Sequence, residues 1–193
     1  MIKSKSILKY YYTLLKGVYM QRNIYKNQRV AVFLDVQNLY YSARDVFNRK
    51  VDFEKVLFKI LNGRQLIRAL AYIIKLQGVD QKGFISSLKH IGYEIKEKEP
   101  KIYKRLDEEG NLITTIKADW DMGIAMDAIS IAEKIDVAVL TTGDGDFADL
   151  VKYLHTKGVK VEIAAFKQTT AKELIEVCDE FIDLTHFGEE IFL

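Results

Sequence analysis

The chain has 193 residues, 49% of them hydrophobic and 29% charged, and a formal net charge of +2 at pH 7; these values are typical of a soluble globular protein with enough apolar material for one sizeable core. Its single cysteine, Cys178, excludes a disulfide framework and a cysteine-rich zinc site within one chain, and it favours a reducing, cytoplasmic setting. No apolar run is long enough to span a membrane, and the three histidines lack metal-ligand spacing.

Residues 1–28 form a basic, tyrosine-rich extension ahead of the main domain. From Met1 to Arg29 the chain holds five lysines, two arginines, five tyrosines and no acidic residue. This segment carries +7, so the remainder carries −5 to give the net charge of +2. Apolar residues at helical spacing predict an amphipathic helix here. Such a helix either packs on the domain with its lysines in water, or binds a phosphate backbone or a partner surface.

From Arg29 onward, short apolar runs alternate with helical stretches. Predicted strands span residues 30–36, 67–76, 93–98, 136–142, 159–166 and 181–184. Predicted helices span residues 38–47, 52–61, 81–91, 120–134, 147–157 and 170–180, with Asp52 and Asp119 as the N-caps of the second and fourth. Between 101 and 117, two alternating segments flank residues 108–111 and predict an antiparallel hairpin arm. The pattern predicts a parallel, doubly wound sheet with helices on both faces over residues 29–185, and a short C-terminal tail at 186–193.

Acidic side chains follow two of the predicted strands. Asp35 ends the first strand, and the segment VLTTGDGDFADLV (139–151) places Asp144 and Asp146 among glycines directly after another strand. Asp121 lies in the first turn of a helix, on the face whose alanines pack against the sheet. Ligands of such sheets bind beyond the carboxyl ends of the strands. We therefore expect the four carboxylates to converge on one edge, where a divalent cation, Mg²⁺ or Mn²⁺, would offset their repulsion.

Other polar residues are expected at the same edge. Asn38 follows Asp35 by about one helical turn. Thr141 and Thr142 precede the glycine turn, where their hydroxyls can donate to a carboxylate or to a substrate phosphate. Lys117, just before the fourth helix, is placed to meet a phosphate or to remain solvated.

Each acid also has a purely structural interpretation. Asp35 can cap the helix that follows it, and one of Asp144 and Asp146 can cap the next. Asp121, in a first turn, would be favoured by the helix dipole alone. The two glycines of GDGD are expected to make the backbone permissive. These structural interpretations explain each acid separately but not all four together, because four carboxylates at one edge would repel one another.

Three blocks of sequence carry most of these residues: FLDVQNLYY (33–41), DWDMGIAMDA (119–128) and LTTGDGDFADLVKYLHTKGVKVEI (140–163). In that order they resemble the signature blocks of the NYN domain, in the LabA-like branch of the PIN-like nuclease superfamily. The resemblance implies a Rossmannoid three-layer α/β/α sandwich and metal-dependent cleavage of RNA. Matched residue by residue, it implies Asp35 as the first acid with Asn38 as its companion, Asp121 as the second acid, and Asp144 and Asp146 as the later pair.

The implied function is hydrolysis of single-stranded RNA with Mg²⁺ or Mn²⁺ held by Asp35, Asp121 and Asp144, directly or through water. Asp146 would either support these ligands or bind a second metal ion, and Asn38 would orient a ligand or contact the scissile phosphate. The same fold without catalysis would be an RNA- or protein-binding regulator, and the sequence leaves that alternative open. An aspartyl phosphatase is disfavoured because Gln37 stands where a second acid is expected, and dinucleotide binding because no glycine-rich loop follows the first strand. The sequence also leaves open whether the chain forms a homodimer through the extension or the arm.

Overall fold

A mainly parallel sheet forms the centre of the protein. A computed structural model of the chain describes residues 26–76, 78–106 and 111–193. Its strands are β1 (Arg29–Asp35), β2 (Gln65–Ile74), β3 (Glu94–Lys98), β4 (Lys101–Leu106), β5 (Leu112–Lys117), β6 (Val137–Thr141), β7 (Lys160–Ala165) and β8 (Glu180–Asp183). Within the described residues, six strands pair in parallel in the order β3-β2-β1-β6-β7-β8, while β4 and β5 form a separate antiparallel pair. The predicted parallel sheet is therefore confirmed.

The order in which the chain adds strands to the sheet reverses between β1 and β6. From β1 the chain continues to β2 and β3 on one side, and from β6 to β7 and β8 on the other. β1 and β6 are paired neighbours, with Leu34 opposite Thr141 at their carboxyl ends. In open α/β sheets, ligands bind in the crevice at such a point. The two strands that precede the candidate acids therefore end side by side.

Helices cover both faces of the sheet. They are α1 (Val36–Phe47), α2 (Phe53–Leu61), α3 (Lys82–Ile91), α4 (Asp121–Ile131), α5 (Ala148–Thr156) and α6 (Lys172–Val177). One core lies under α1, α2 and α3 and includes Leu39 and Leu88, while the other lies under α4, α5 and α6 and includes Ile124 and Leu154. Successive residues of β1 contribute to alternate cores, as expected for a strand buried on both faces. The three-layer α/β/α sandwich is confirmed.

The starts of two helices were predicted from N-cap residues, with different outcomes. The Asp52 carboxylate accepts hydrogen bonds from the backbone N–H groups of Glu54 and Lys55, both at 3.1 Å, and so caps α2 as predicted. α4 instead begins after Trp120, which makes no side-chain capping bond. The prediction that Asp119 caps this helix was therefore wrong, and other contacts must fix where α4 starts.

Two segments near the C-terminus differ from the sequence-based prediction. α6 ends at Val177 rather than at the predicted residue 180, because the Asp179 N–H donates to the Val161 carbonyl (2.9 Å) and draws the chain into β8. After β8, residues 184–191 form 3-10 turns, and Ile191 is fully buried in the core under α1 to α3. The terminal segment is thus packed against the domain.

The hairpin arm is confirmed as an antiparallel pair. β4 and β5 run in register from Lys101 opposite Lys117 to Leu106 opposite Leu112. The turn at 107–110 lies outside the described residues, as do residues 1–25 of the predicted basic extension. None of the described helices combines the length and the apolar character needed to traverse a bilayer.

A buried ion pair connects β7 to the end of α2. Glu162 in β7 has 1% of its side chain exposed and forms two hydrogen bonds with the guanidinium of Arg64, at 2.7 and 2.8 Å. Arg64 also donates to the carbonyls of Ile60 and Leu61, which end α2. Lys160 donates to the same carboxylate at 2.9 Å. The pKa of Glu162 is raised by burial, but these hydrogen bonds outweigh that effect and leave it below its ordinary value.

Candidate metal centre

Three carboxylates meet beyond the carboxyl ends of β1 and β6. Asp121, Asp144 and Asp146 each offer an oxygen that lies within 4.8 Å of those of the other two. Asp144 and Asp146 come from the loop after β6, and Asp121 from the first residue of α4. Three of the four carboxylates expected at this edge of the sheet therefore lie together in the fold.

The loop after β6 is shaped by its own hydrogen bonds. The Thr142 hydroxyl accepts from the Asp144 N–H (3.2 Å), and the Asp144 carboxylate Oδ1 accepts from the Asp146 N–H (3.0 Å). Asp144 thus caps a 3-10 turn at Gly145–Phe147 that leads into α5. A carboxylate has two oxygens and about four lone-pair sites, so one capping bond leaves capacity for a cation. The structural and the metal-binding interpretations of Asp144 are therefore compatible.

Asn38 connects the two acid-bearing elements. Its backbone N–H donates to the Asp35 carboxylate (3.0 Å), which caps α1, and its side-chain Oδ1 accepts from the Gly143 N–H (3.0 Å). One residue therefore holds the end of β1 to the loop that carries Asp144. With its carbonyl oxygen engaged in this way, Asn38 positions the loop.

Asp35 lies beside the group of three rather than within it. The sequence placed all four acids at one metal site, with Asp146 either supporting the other ligands or on a second ion, whereas the geometry groups Asp146 directly with Asp121 and Asp144. The pKa of Asp35 is raised from 3.8 to about 6, first because burial disfavours the charged carboxylate and then because the charges of Asp121 and Asp144 repel it. The hydrogen bond from Asn38 acts in the opposite direction.

Asp121 is also held in an unfavourable electrostatic environment. Its pKa is raised above 3.8, first by partial burial and then by neighbouring carboxylates, of which Asp144 has the largest effect. The nearby Lys98 ammonium lowers it. Raised pKa values on both Asp35 and Asp121 mean that the fold disfavours the ionised form of each carboxyl group.

The glycines of GDGD allow a close approach of another segment. A Cβ added at Gly143 would lie 2.6 Å from the Thr169 carbonyl oxygen, and one at Gly145 would overlap the Glu173 carboxylate. The Gly143 carbonyl also accepts from the Ala171 N–H (2.8 Å). Neither glycine is among the described residues with positive φ. Glycine is therefore required at these two positions because a side chain would not fit, and not, as expected, because of the backbone conformation. No local pattern in the sequence pointed to this packing of residues 169–173.

Two of the remaining candidates, Thr141 and Thr142, are not placed to contact a substrate. Thr141 and Thr142 are fully buried, and their hydroxyls bond within the protein, Thr141 by donating to the Phe33 carbonyl (3.4 Å). This differs from the expected substrate role, because both side chains are buried and the Thr141 hydroxyl bonds to β1. Lys117 ends β5, but its side chain lies outside the described part of the structure. Asp127, on another face of α4, accepts from the Tyr72 hydroxyl (2.9 Å) and pairs with a lysine of β3.

The three grouped carboxylates fit a divalent cation. Mg²⁺ binds oxygen at about 2.1 Å, so two oxygens on one ion lie at most about 4.2 Å apart. The candidate oxygens lie within 4.8 Å of one another, and side-chain rotation can bring them inside this limit. No salt bridge between described side chains involves Asp35, Asp121, Asp144 or Asp146. Carboxylate oxygens are also the ligands that Mg²⁺ and Mn²⁺ prefer.

Comparison with known proteins identifies a family and relatives that this chain resembles. Residues 29–185 match the family described as NYN domain. The low amplitude and bright protein LabA of Synechococcus elongatus is 29% identical over 163 residues, which cover 83% of this chain and 86% of LabA. The crystal structure of a protein of unknown function from Vibrio parahaemolyticus superimposes with a TM-score of 0.74 at 29% identity, covering 87% of this chain and 98% of that one. The resemblance seen in the three sequence blocks is thereby confirmed.

Proposed function

Because the chain belongs to the NYN domain family, we propose that it is a metal-dependent ribonuclease that uses Asp35, Asp121, Asp144 and Asp146. The observation that carries the proposal is the group of three carboxylates within 4.8 Å at the sheet's switch point, with Asp35 beside it. Such a cluster is costly for the fold when nothing neutralises it. A divalent cation supplies neutralisation, and it also suits the chemistry of a phosphodiester.

The proposed reaction adds water to a phosphodiester and breaks its bond to the 3′-oxygen, giving a 5′-phosphate and a 3′-hydroxyl. A divalent cation, when bound, polarises the phosphate and lowers the pKa of attacking water. Asp121, Asp144 and Asp146 would hold it. Asp35, beside these three acids, would accept the proton of the attacking water. The leaving 3′-oxygen takes up a proton from solvent.

RNA is the proposed substrate because a basic and aromatic surface begins beside the acids. β5 ends four residues before Asp121, so the arm starts at the same edge of the sheet. Lys101, Tyr103 and Arg105 are all exposed and, as alternate residues of one strand, share one face of the arm. Cationic side chains attract the backbone and tyrosine stacks on unpaired bases. We propose that single-stranded RNA lies along this face and enters the site.

Metal-dependent cleavage is the direct test of the function. Purified protein is expected to cleave end-labelled single-stranded RNA in Mn²⁺ or Mg²⁺, to stop when the metal is chelated, and to leave 5′-phosphate ends. Asp144→Asn should lose activity by roughly 100-fold or more, because it removes a metal ligand while retaining the capping oxygen. Asp149→Asn, an exposed acid of α5 paired with Lys152, is the matched control and should match the wild type. RNA binding without cleavage in a clean preparation would instead support the non-catalytic regulator.

The role of the arm can be measured without catalysis, by RNA binding in a chelator. Replacing both Lys101 and Arg105 with alanine should reduce the slope of log affinity against log salt by about 1.4, since each phosphate contact to a single strand contributes about 0.7. Tyr103→Ala should weaken binding by about 1–3 kcal/mol with little change in that slope. Lys82→Ala with Lys89→Ala, on exposed positions of α3, is the control pair. Equal salt slopes for both pairs would contradict a role for the arm.

A further inference from the structure

The first turn of α4 is held by contacts other than a side-chain cap. Asp121 opens this helix, and the carboxylates of Asp144 and Asp146 repel it from across the site. A helix start without a capping bond is free to fray or shift. Something else must therefore keep Asp121 within 4.8 Å of the other two carboxylates.

Trp120 attaches the start of α4 to the end of β2. Its indole N–H donates to the Ile73 carbonyl at 3.1 Å, and its ring packs against Tyr72, with ring centroids 5.3 Å apart. Tyr72 is the register partner of Asp35, the last residue of β1. β2 continues to Ile74, beyond the end of β1, and Trp120 bonds to this last part of β2. The indole thus ties the helix that carries Asp121 to the strand beside Asp35.

Neighbouring groups secure this attachment. The Tyr72 hydroxyl donates to Asp127 at 2.9 Å, further along α4, so the helix is fixed to β2 at two points. Lys98 donates to the Asp119 carbonyl (2.8 Å), and its ammonium lies 5.4 Å from the centre of the Trp120 ring. Trp120 is therefore held from two sides, by a tyrosine and by a lysine of the adjacent strand.

Gly123 provides the space for the indole ring. A Cβ added at this position would lie 2.5 Å from Cε3 of Trp120, closer than real carbon contacts allow. Glycine within a helix lowers stability relative to alanine, so helix formation alone does not favour it. By contrast, Gly83 in the first turn of α3 has no atom within 4 Å of an added Cβ. The Trp120–Gly123 contact is thus specific to the helix that carries Asp121.

We propose that Trp120, seated against Gly123, is a positioning residue that holds the Asp121 carboxylate at the spacing a divalent cation requires. This inference rests on the proposed function, since it assigns the anchor to the same metal centre. Residues that orient metal ligands without contacting the metal typically alter affinity by 10- to 100-fold when replaced. Trp120 would act in this way, through the position of α4.

The test is the dissociation constant for Mn²⁺, measured by calorimetry or electron paramagnetic resonance on the purified full chain. Trp120→Phe keeps an aromatic ring but loses the bond to Ile73, and Gly123→Ala displaces the ring. We expect both to weaken Mn²⁺ binding by about 10- to 100-fold, Gly123→Ala more strongly, with cleavage partly rescued at high Mn²⁺. The matched controls are Tyr93→Phe, which loses a buried bond to the Phe53 carbonyl on the other face of the sheet, and Gly83→Ala. Both controls should bind Mn²⁺ as the wild type does.

The outcomes separate the anchor from the function itself. Wild-type Mn²⁺ affinity in both Trp120→Phe and Gly123→Ala would overturn the anchor alone, even if their melting temperatures fall. An equal loss of affinity in Tyr93→Phe would also overturn it, because the effect would then follow general stability. A wild-type protein that binds no Mn²⁺ would overturn both proposals, whereas one that binds Mn²⁺ through the anchor but cuts no RNA would overturn only the nuclease.

Discussion

Asp35→Asn is expected to abolish RNA cleavage and, in metal-free buffer, to raise the melting temperature. The pKa of Asp35 is about 6 in the folded protein against an ordinary 3.8, so its ionised form at neutral pH opposes folding. Two pKa units correspond to about 3 kcal/mol, and a gain of about 1–3 kcal/mol is expected when the charge is removed. Asparagine can still accept the hydrogen bond from the Asn38 N–H, so the cap of α1 is retained.

The pH dependence of this gain follows from the sign of the shift. Between about pH 4 and 6 the folded wild type binds more protons at Asp35 than the unfolded chain does, so wild-type stability falls as pH rises through that window. Asp35→Asn lacks this loss. The difference in unfolding free energy between the two proteins should therefore be near zero below pH 4, grow towards pH 6 and stay constant above it.

Mn²⁺ should reverse the order of stability, because it stabilises the form that binds it. Thermal denaturation with and without Mn²⁺, alongside the cleavage assay, measures both effects. Asp45→Asn, an exposed acid of α1 paired with Arg44, is the control and should change neither. Wild-type cleavage by Asp35→Asn, or a lower melting temperature in metal-free buffer, would contradict the role assigned to this residue.

Glu162→Gln is expected to cause the largest loss of stability among single changes remote from the site. Glu162 and Arg64 have 1% and 8% of their side chains exposed, and breaking a buried pair leaves an unpaired charge in the core. We expect a loss of about 3–5 kcal/mol at neutral pH, measured by denaturant unfolding. Because hydrogen bonds hold the Glu162 pKa below its ordinary 4.5 in spite of burial, its contribution is present above that value and is lost as pH falls below it.

The matched control for Glu162→Gln is a change at Glu180, which binds Lys160 as Glu162 does. Glu180→Gln removes the other carboxylate bound by Lys160, at 2.7 Å, but Glu180 is 55% exposed. A surface pair of this kind contributes less than about 1 kcal/mol, so the control should lose little stability. Equal losses for the two variants, or a Glu162→Gln loss that persists unchanged at acid pH, would show that the buried pair is not the cause.

Local sequence was sufficient to predict the elements and most of their caps. Asp52 caps α2 and Gly92 ends α3 at φ 111°, because capping depends on residues a few positions apart. The two wrong predictions are explained by contacts with segments that are distant in the sequence. Asp119 does not cap α4, since Trp120 is drawn to β2, and α6 ends early because Asp179 bonds to β7.

The sequence by itself determined the alternation of strands and helices and the acids Asp35, Asp121, Asp144 and Asp146 as candidates, because both follow from residue type and short-range spacing. It indicated the family through the resemblance of three sequence blocks. Only the tertiary structure decided that β1 and β6 are neighbours, so that their carboxyl ends share one crevice. It likewise decided which carboxylates lie within 4.8 Å of one another. The physical reason is that such distances depend on contacts between segments far apart in the chain, such as the Trp120 indole on the Ile73 carbonyl, and no local pattern encodes them.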